Sequence, residues 1–173
     1  MTTFEPTRGG QPGRIGNDID DQANANGFSK ALETIADWPL VARRVYFLNY
    51  ISREMTNKTP PQWLGEAKAA EFEGAQDALT AAGCEEMRAL LRKSLRQAID
   101  EGCCGWAGPA DSDPPPLLRE VDDEWLDAHT EPSDFTWDTL EHRTIMRLQR
   151  SELWPKTREF IRAHRDELVR TKK

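Results

Sequence analysis

LVARRVYFLNYISREM, residues 40–55, is the stretch of the chain that decides its fold. Apolar side chains recur here at steps of three and four residues, which places them on one stripe of an α-helix. Tyr46, Phe47 and Tyr50 widen that stripe. The pattern predicts a helix at the centre of the core, with the stripe residues Leu40, Val41, Val45, Leu48, Ile51 and Met55.

Upstream of this helix, the sequence predicts a short helix and an arm. The short helix is predicted over residues 29–38, SKALETIADW, with Ser29 as its capping residue. It ends before Pro39, which is tolerated in the first turn of the central helix. Asp37 is the expected N-cap of the central helix. Residues 1–27 are rich in Gly, Asn, Asp and Gln and lack periodicity, which is typical of a flexible arm.

Downstream, two long helices are predicted to form an antiparallel hairpin. Thr59 can cap a helix that has Pro60 at its first position, and Gly83 is a natural C-terminal stop. The next helix, residues 84–102, reads CEEMRALLRKSLRQAIDEG and has acids near its start, where they favour the helix dipole. Because the connection at Gly83 is short, the two helices should lie side by side.

A break over residues 102–116, GCCGWAGPADSDPPP, is predicted to be a loop because Gly, Pro and Asp oppose regular structure. Further helices are expected over residues 117–129, around residues 137–148, and from Pro155 onward. No segment alternates apolar and polar residues over the length of a strand. The sequence therefore predicts an all-α fold of six or seven helices, packed in one compact domain over residues 28–173.

Composition limits the classes of function. The chain has 173 residues, a net charge of −7 and a pI near 5.1. Such acidity opposes direct binding to nucleic acid or to an anionic membrane, because both attract cations. No apolar run approaches the roughly 20 residues that span a bilayer, and no secretory signal is visible, so we expect a bacterial-type cytoplasmic protein. The three cysteines lack a disulfide pattern and are expected to stay reduced in that compartment.

Charge is divided abruptly along the chain. Residues 111–141 contain eleven acids and one base, whereas residues 142–173 contain ten bases and four acids. In one interpretation the two segments are adjacent helices that neutralise each other, with Arg158, Arg162 and Arg165 lying across the acids. In the other, the acids form an exposed docking face for a basic protein, with carboxylates in the places of DNA phosphates. The acids of that face are Asp122, Asp123, Asp127, Asp134 and Asp138.

No catalytic or metal-binding pattern stands out in the sequence. His129, His142 and His164 match no metal-ligand spacing, and the chain has no phosphate-binding glycine loop and no nucleophile elbow. Cys84 begins a helix, where the helix dipole could lower the pKa of its thiol, but no histidine lies near it in sequence. The sequence therefore predicts a protein that is not an enzyme and has no cofactor and no metal.

REMTNKTPPQWL, residues 53–64, resembles a motif of a bacterial DNA-mimic protein family. In that family a helix ends in an acid and an aliphatic residue, followed by Asn, commonly two glycines, Gln and two large apolar residues. The chain departs from the pattern at residues 58–61, where Lys, Thr and two prolines replace the glycine pair. The hairpin around Gly83 and the closing EFIRAHRDELV are also similar to the family. The residues that match the motif are Glu54, Met55, Asn57, Gln62, Trp63 and Leu64.

The resemblance implies a helical domain and, as a function, imitation of duplex DNA to occupy a nucleic-acid-binding protein. It also leaves open an immunity-type or regulatory partner that recognises a specific protein by shape. An uncharacterised enzyme is a further alternative, and a homodimer stays open. From the residues alone, Glu54 and Asn57 are expected to tie the helix to the loop, Gln62 to bond loop carbonyls, and Trp63 to lie in the core.

Overall fold

The computed structural model describes residues 3–8, 10–101, 114–132 and 142–169. This part of the chain is helical, and its only β-type pairing is an isolated bridge between Thr7 and Val169. The prediction of an all-α fold is confirmed. Within the same residues, no helix is long and apolar enough to cross a membrane.

The described α-helices are more numerous than the six or seven that the sequence predicts. Two helical turns of other types accompany them, a 3-10 turn over Phe28–Lys30 and a π-helical turn over Gln149–Leu153. The α-helices are α1 Pro12–Ala23, α2 Ala31–Ile35, α3 Leu40–Asn57, α4 Pro60–Leu64, α5 Ala69–Ala82, α6 Glu85–Asp100, α7 Pro116–Glu120, α8 Asp123–His129, α9 His142–Leu148, α10 Trp154–Ala163 and α11 Arg165–Leu168.

Helix α3 is the centre of the fold, as its apolar stripe predicts. It packs most extensively against α5 on one side and α1 on the other. Val45, Leu48 and Ile51 have no exposed surface. The helix begins one residue after Pro39, which occupies the N-cap position that Asp37 was expected to fill. A proline there costs nothing, because the first backbone N–H groups of a helix have no partner within it.

The prediction of a flexible arm over residues 1–27 is wrong for helix α1. Ile15, Ile19 and Ala23 follow each other at four-residue steps and are fully buried where α1 packs on α3. An ion pair of 2.7 Å between Asp20 and Arg53 joins the same two helices. Only one narrow apolar stripe signals this helix, and it lies among polar residues that dominate the composition.

Two stretches that each read as one helix are split in the structure. The helix expected from Pro60 to Gly83 is divided into α4 and α5. The carboxylate of Glu71 accepts a hydrogen bond from the backbone N–H of Lys68 and so caps the start of α5. The helix expected over residues 117–129 is divided into α7 and α8, because Asp122 caps α8. These internal caps add two helices to the predicted number, and the unpredicted α1 and the break between α10 and α11 add two more.

The predicted hairpin around Gly83 is present. Gly83 ends α5 with a φ of 72°, a left-handed conformation that side chains disfavour, and α6 begins two residues later. Of the predicted loop, residues 102–113 lie outside the described residues, and Pro116 already belongs to α7. The helix expected around residues 137–148 also lies partly outside them, with α9 as its described part.

Candidate functional site: an acidic docking surface

Four exposed carboxylates crowd the start and middle of helix α8. They are Asp122, Asp123, Glu124 and Asp127, and we call this group the acidic surface. At 1.5 Å of rise per residue, the group spans about 8 Å of helix axis. Asp122 is fixed in place because its carboxylate accepts a hydrogen bond of 2.9 Å from the backbone N–H of Trp125. The side chain of Asp127 is 78% exposed.

Trp125 attaches this helix to the rest of the protein. Its ring packs edge-on against the buried Phe72 of α5 at 5.7 Å, and the ring of His129 stacks on it at 4.0 Å. Its indole N–H donates to the carboxylate of Glu73. The half-buried Trp125 therefore holds the acidic surface against α5 and places a fifth carboxylate, that of Glu73, beside it.

Further side chains fix the two sides of α8. Arg92 of α6 donates to the carboxylate of Glu131 and to the carbonyl oxygen of Thr130, each at 2.9 Å. Glu120, at the end of α7, accepts a 3.0 Å hydrogen bond from the backbone N–H of Ala69 at the start of α5. The acids of this region thus divide into Glu120 and Glu131, whose carboxylates bond to neighbouring helices, and the acids of the acidic surface.

The basic C-terminal helices do not neutralise the acidic surface within the described residues. No ion pair there joins Asp122, Asp123 or Asp127 to Arg158, Arg162 or Arg165. Arg165 instead donates to the carbonyl oxygen of Gly10 at 2.7 Å. Asp127 has one long contact, 3.8 Å to Arg96. A pair of this length and exposure contributes little and leaves the carboxylate open to a partner.

Two residues of the predicted docking face cannot be compared with this geometry. Asp134 and Asp138 lie outside the described residues. Their contribution to a continuous negative face stays a prediction. The exposure of Asp122, Asp123 and Asp127 agrees with the sequence, because the inward stripe of this segment leaves them pointing away.

The motif of residues 53–64 makes internal contacts around the junction of α3 and α4. Glu54 pairs with Lys58 at 2.9 Å, and the side-chain amide of Asn57 donates to the carbonyl oxygen of Arg53 at 3.0 Å. Gln62 accepts from the backbone N–H of Thr59 at 2.9 Å, which closes a capping box. The observed hydrogen bond of Gln62 is thus made by its carbonyl oxygen to a backbone N–H of the loop, whereas the sequence predicts bonds to loop carbonyls.

Trp63 links this motif to the acidic surface. It is 1% exposed, donates its indole N–H to the hydroxyl of Tyr50 at 3.0 Å, and stacks on Phe72 at 5.8 Å. Phe72 in turn contacts Trp125 of α8. Burial raises the pKa of the Tyr50 hydroxyl well above its usual range, so it remains a neutral hydrogen-bonding group. A chain of rings thus runs from the core helix α3 to the helix that carries the acids.

The described residues contain no cluster of three or more His, Cys, Asp or Glu side chains that could hold a metal ion. Cys84 is fully buried, and burial together with the nearby carboxylate of Glu152 raises the pKa of its thiol to about 12. The position of Cys84 at the start of α6 therefore does not lower the pKa of its thiol, although the helix dipole favours a lower pKa there. His129 and His164 each contact groups on their own helical segment, Trp125 and Glu167.

Comparison with known proteins identifies a family. A family model described as DMP19-like protein matches residues 36–164, from the end of α2 to the end of α10. The matched range includes the motif of residues 53–64 and the acidic surface. No curated protein and no solved structure matches the chain.

Proposed function

Because the chain belongs to the DMP19-like protein family, which confirms the resemblance to DNA-mimic proteins, we propose that it is a DNA mimic. In this proposal it has no catalytic role. The acidic surface, Asp122, Asp123, Glu124 and Asp127, occupies the nucleic-acid-binding site of a basic protein, and Asp134 and Asp138 extend it. The observation that carries the proposal is that these described carboxylates are exposed and are not paired with the C-terminal arginines.

Charge density supports the imitation of a duplex. Duplex DNA carries one phosphate per about 1.7 Å of axis, counting both strands, and therefore four to five over about 8 Å. The acidic surface places four carboxylates over the same length, before Glu73 is counted. A basic site that is spaced for phosphates can thus meet a similar number of negative groups here.

The fixed position of helix α8 also supports the proposal of a DNA mimic. The helix cap of Asp122, the ring contacts of Trp125 and the bonds of Arg92 hold α8 at both ends and on its inner face. Carboxylates on a fixed scaffold lose less conformational freedom when a partner binds than carboxylates on a disordered tail.

Replacing three acids of the surface tests the proposal. In the variant Asp122→Asn, Asp123→Asn, Asp127→Asn, binding to the basic partner should weaken about tenfold at low salt, since three exposed charge pairs contribute roughly 0.5 kcal/mol each. The fold should survive, because Asn caps a helix as well as Asp does. The measurement is the Kd of the variant for a partner captured with the wild-type chain, together with its melting temperature.

A matched variant controls for net charge. Glu33→Gln, Asp37→Asn, Glu159→Gln also removes three exposed acids, but on α2, after it, and on α10. It should bind the partner within about twofold of the wild type. Equal weakening by both triple variants would point to overall charge, and unchanged binding by the α8 variant would remove the acidic surface from recognition.

A partner that is recognised by shape is the second candidate, and two exposed apolar side chains favour it. Phe28 is 70% exposed and Leu40 is 47% exposed, and Leu40 borders a cleft between α2, α3 and α5. Such side chains can anchor a regulatory contact without help from charge. Under this alternative, Phe28→Ser with Leu40→Ser abolishes binding, salt has little effect, and duplex DNA does not compete. A homodimer through the same apolar side chains would appear as a concentration-dependent mass.

A further inference from the structure

A continuous helical stretch near the C-terminus carries a row of exposed arginines. Helix α9, the π-helical turn and helix α10 follow one another without an intervening residue, from His142 to Ala163. All three parts contact α3, and their buried side chains include Leu148, Leu153 and Ile161. Four arginines of the stretch are exposed, and we call them the arginine stripe: Arg147, Arg150, Arg158 and Arg162.

The spacing of the arginine stripe places its charges on one face of the stretch. Successive arginines are separated by three, eight and four residues, and each step is close to a whole number of helical turns. At about 1.5 Å of rise per residue, the stripe extends over roughly 20 Å of axis. It thus presents four positive groups to one elongated partner.

The charges of the arginine stripe are not used inside the protein. Within the described residues, none of its four guanidinium groups forms an ion pair or a hydrogen bond, and the exposed Glu159 of the same stretch pairs with none of them. Arg44, Arg53 and Arg92, in contrast, each pair with a carboxylate at 2.7–2.9 Å. The stripe is therefore free to bind an anionic group of another molecule.

The residue types of the stretch are those of protein interfaces, where arginine and tryptophan are enriched and lysine is depleted. The lysine of the stretch, Lys156, pairs with an internal carboxylate, so the exposed positive charge of its described side chains comes from arginines. Trp154 lies four residues from both Arg150 and Arg158, in the middle of the stripe. Its half-buried ring is fixed by a hydrogen bond of 2.9 Å from the indole N–H to the hydroxyl of Ser52.

A recess beside this tryptophan gives the stripe a shape as well as a charge. Its volume is about 320 Å³, and Trp154 and Arg158 both line it. Leu48 and Ile161 form part of its wall, together with polar side chains such as Asn17. A partner that lies along the stripe can place one leucine-sized side chain here.

We propose that the arginine stripe docks an acidic α-helix of a partner protein. The carboxylates of that helix face the arginines, and a leucine-sized side chain between them enters the recess beside Trp154. Carboxylates four residues apart on a helix are separated by about 6 Å along its axis, as are Arg158 and Arg162. Two helices with opposite charges at the same repeat are therefore complementary along their whole contact.

Two features favour a protein helix over the backbone of a nucleic acid. Phosphates of one DNA strand follow each other at about 3.4 Å along the axis, which is shorter than the repeat of the arginines. A long polyanion also extends past the stripe over a chain whose net charge is −7, whereas a single helix contacts the stripe alone. The stripe contains no residue of the acidic surface, so this proposal does not depend on the imitation of DNA.

Binding of designed peptides to the full-length chain tests the stripe. The probe is a fluorescein-labelled, alanine-rich helical peptide with Glu at every third or fourth position on one face and a central Leu. The reference peptide has the same composition but spreads its Glu residues around the helix. At about 50 mM salt, fluorescence anisotropy should saturate with the probe at a Kd at least about fivefold lower than with the reference. Equal affinities for the two peptides, or tighter binding of a duplex DNA of about 20 base pairs than of the probe, would overturn the proposal.

Matched charge variants locate the binding on the molecule. The stripe variant Arg150→Gln, Arg158→Gln, Arg162→Gln should weaken binding of the probe about tenfold. Its melting temperature should stay unchanged, because these exposed side chains have no partner within the described residues. The control Arg8→Gln, Lys30→Gln, Arg119→Gln removes three exposed bases elsewhere and should bind the probe within about twofold of the wild type. Equal losses in the two variants, or no loss in the stripe variant, would contradict the site.

The acid variant Asp122→Asn, Asp123→Asn, Asp127→Asn separates this proposal from that of a DNA mimic. It should bind the probe at least as tightly as the wild type, because it loses only negative charge. A weaker complex with the probe would place the acidic peptide on α8 and not on the arginine stripe.

Discussion

Gly74→Ala should destabilise the protein by about 2–3 kcal/mol, although alanine is the better helix former by about 1 kcal/mol. A Cβ at Gly74 of α5 would overlap the ring of Phe47 on α3, and even the third-nearest atom, a ring carbon, would lie at 2.5 Å. Phe47 is confined by edge contacts with Tyr46 at 5.3 Å and with Tyr50 at 6.3 Å. The ring therefore has to move, and the most extensive helix–helix contact in the fold, that of α3 with α5, is disturbed.

Thermal unfolding measures this effect. For a chain of this length, a loss of 2–3 kcal/mol lowers the melting temperature by roughly 4–12 °C. Gly13→Ala is the matched control, because Gly13 is also helical but has open space at its Cβ position. It should leave the stability equal or raise it by up to about 1 kcal/mol. Equal melting temperatures for Gly74→Ala and Gly13→Ala would contradict the close contact between the Phe47 ring and Gly74 of α5.

Glu152→Gln should cost about 3 kcal/mol, or roughly 6–12 °C in melting temperature. Glu152 lies in the π-helical turn, and its side chain is 8% exposed. Its two carboxylate oxygens accept hydrogen bonds from the backbone N–H groups of Glu86, at 3.0 Å, and Met87, at 2.8 Å, which form the start of α6. An amide has only one oxygen, so one buried N–H would face another donor, and the charge that favours the helix dipole would be lost.

Lys156 increases the expected cost. Its ammonium group lies 3.7 Å from Glu152 and also donates to the carbonyl oxygen of Gly83, so Glu152 balances a partly buried cation at the hairpin. Glu159→Gln, an exposed acid on α10, is the control and should change stability by less than about 0.5 kcal/mol. A melting temperature of Glu152→Gln equal to that of the control would show that α6 does not depend on this cap.

The strong helices of this fold could be predicted from sequence because their apolar stripes are wide and their ends carry clear signals. Thr59, Pro60 and Gly83 mark helix ends by local chemistry, and α3 needs only its own residues to identify its buried face. Helix α1 is not predicted because its buried face contains only three clearly apolar side chains, Ile15, Ile19 and Ala23, beside Pro12 and Gly16. Helix α1 is stabilised by its packing on α3, and a local sequence pattern does not contain this long-range contact.

The acidic surface could be predicted in part for the same reason. The stripe of Leu118, Val121 and Trp125 predicts which acids face solvent, although in the structure it is Leu117 that is fully buried and the break at Asp122 changes the geometry between α7 and α8. Glu73 could not be predicted to join the surface, because its contact with Trp125 spans 52 residues of sequence. The cap by Glu152 is equally long-range, since it joins residues that are 66 apart.

The aromatic chain gives the family motif a role in positioning the acids. Trp63 is buried between Tyr50 and Phe72, and Phe72 supports Trp125 directly. Residues 53–64 therefore support the acidic surface through the packing of Trp63 on Phe72 and of Phe72 on Trp125.

The central claim, that the acidic surface takes the place of duplex DNA, is tested most directly by competition. The Kd between the full chain and its captured basic partner is measured at about 50 and 300 mM salt, with and without an excess of duplex DNA. Imitation of DNA predicts that the affinity falls at least tenfold with salt, and that DNA displaces the wild-type chain in proportion to its own affinity for the partner. An affinity that is constant with salt, or a complex that contains chain, partner and DNA together at full occupancy, would contradict the claim.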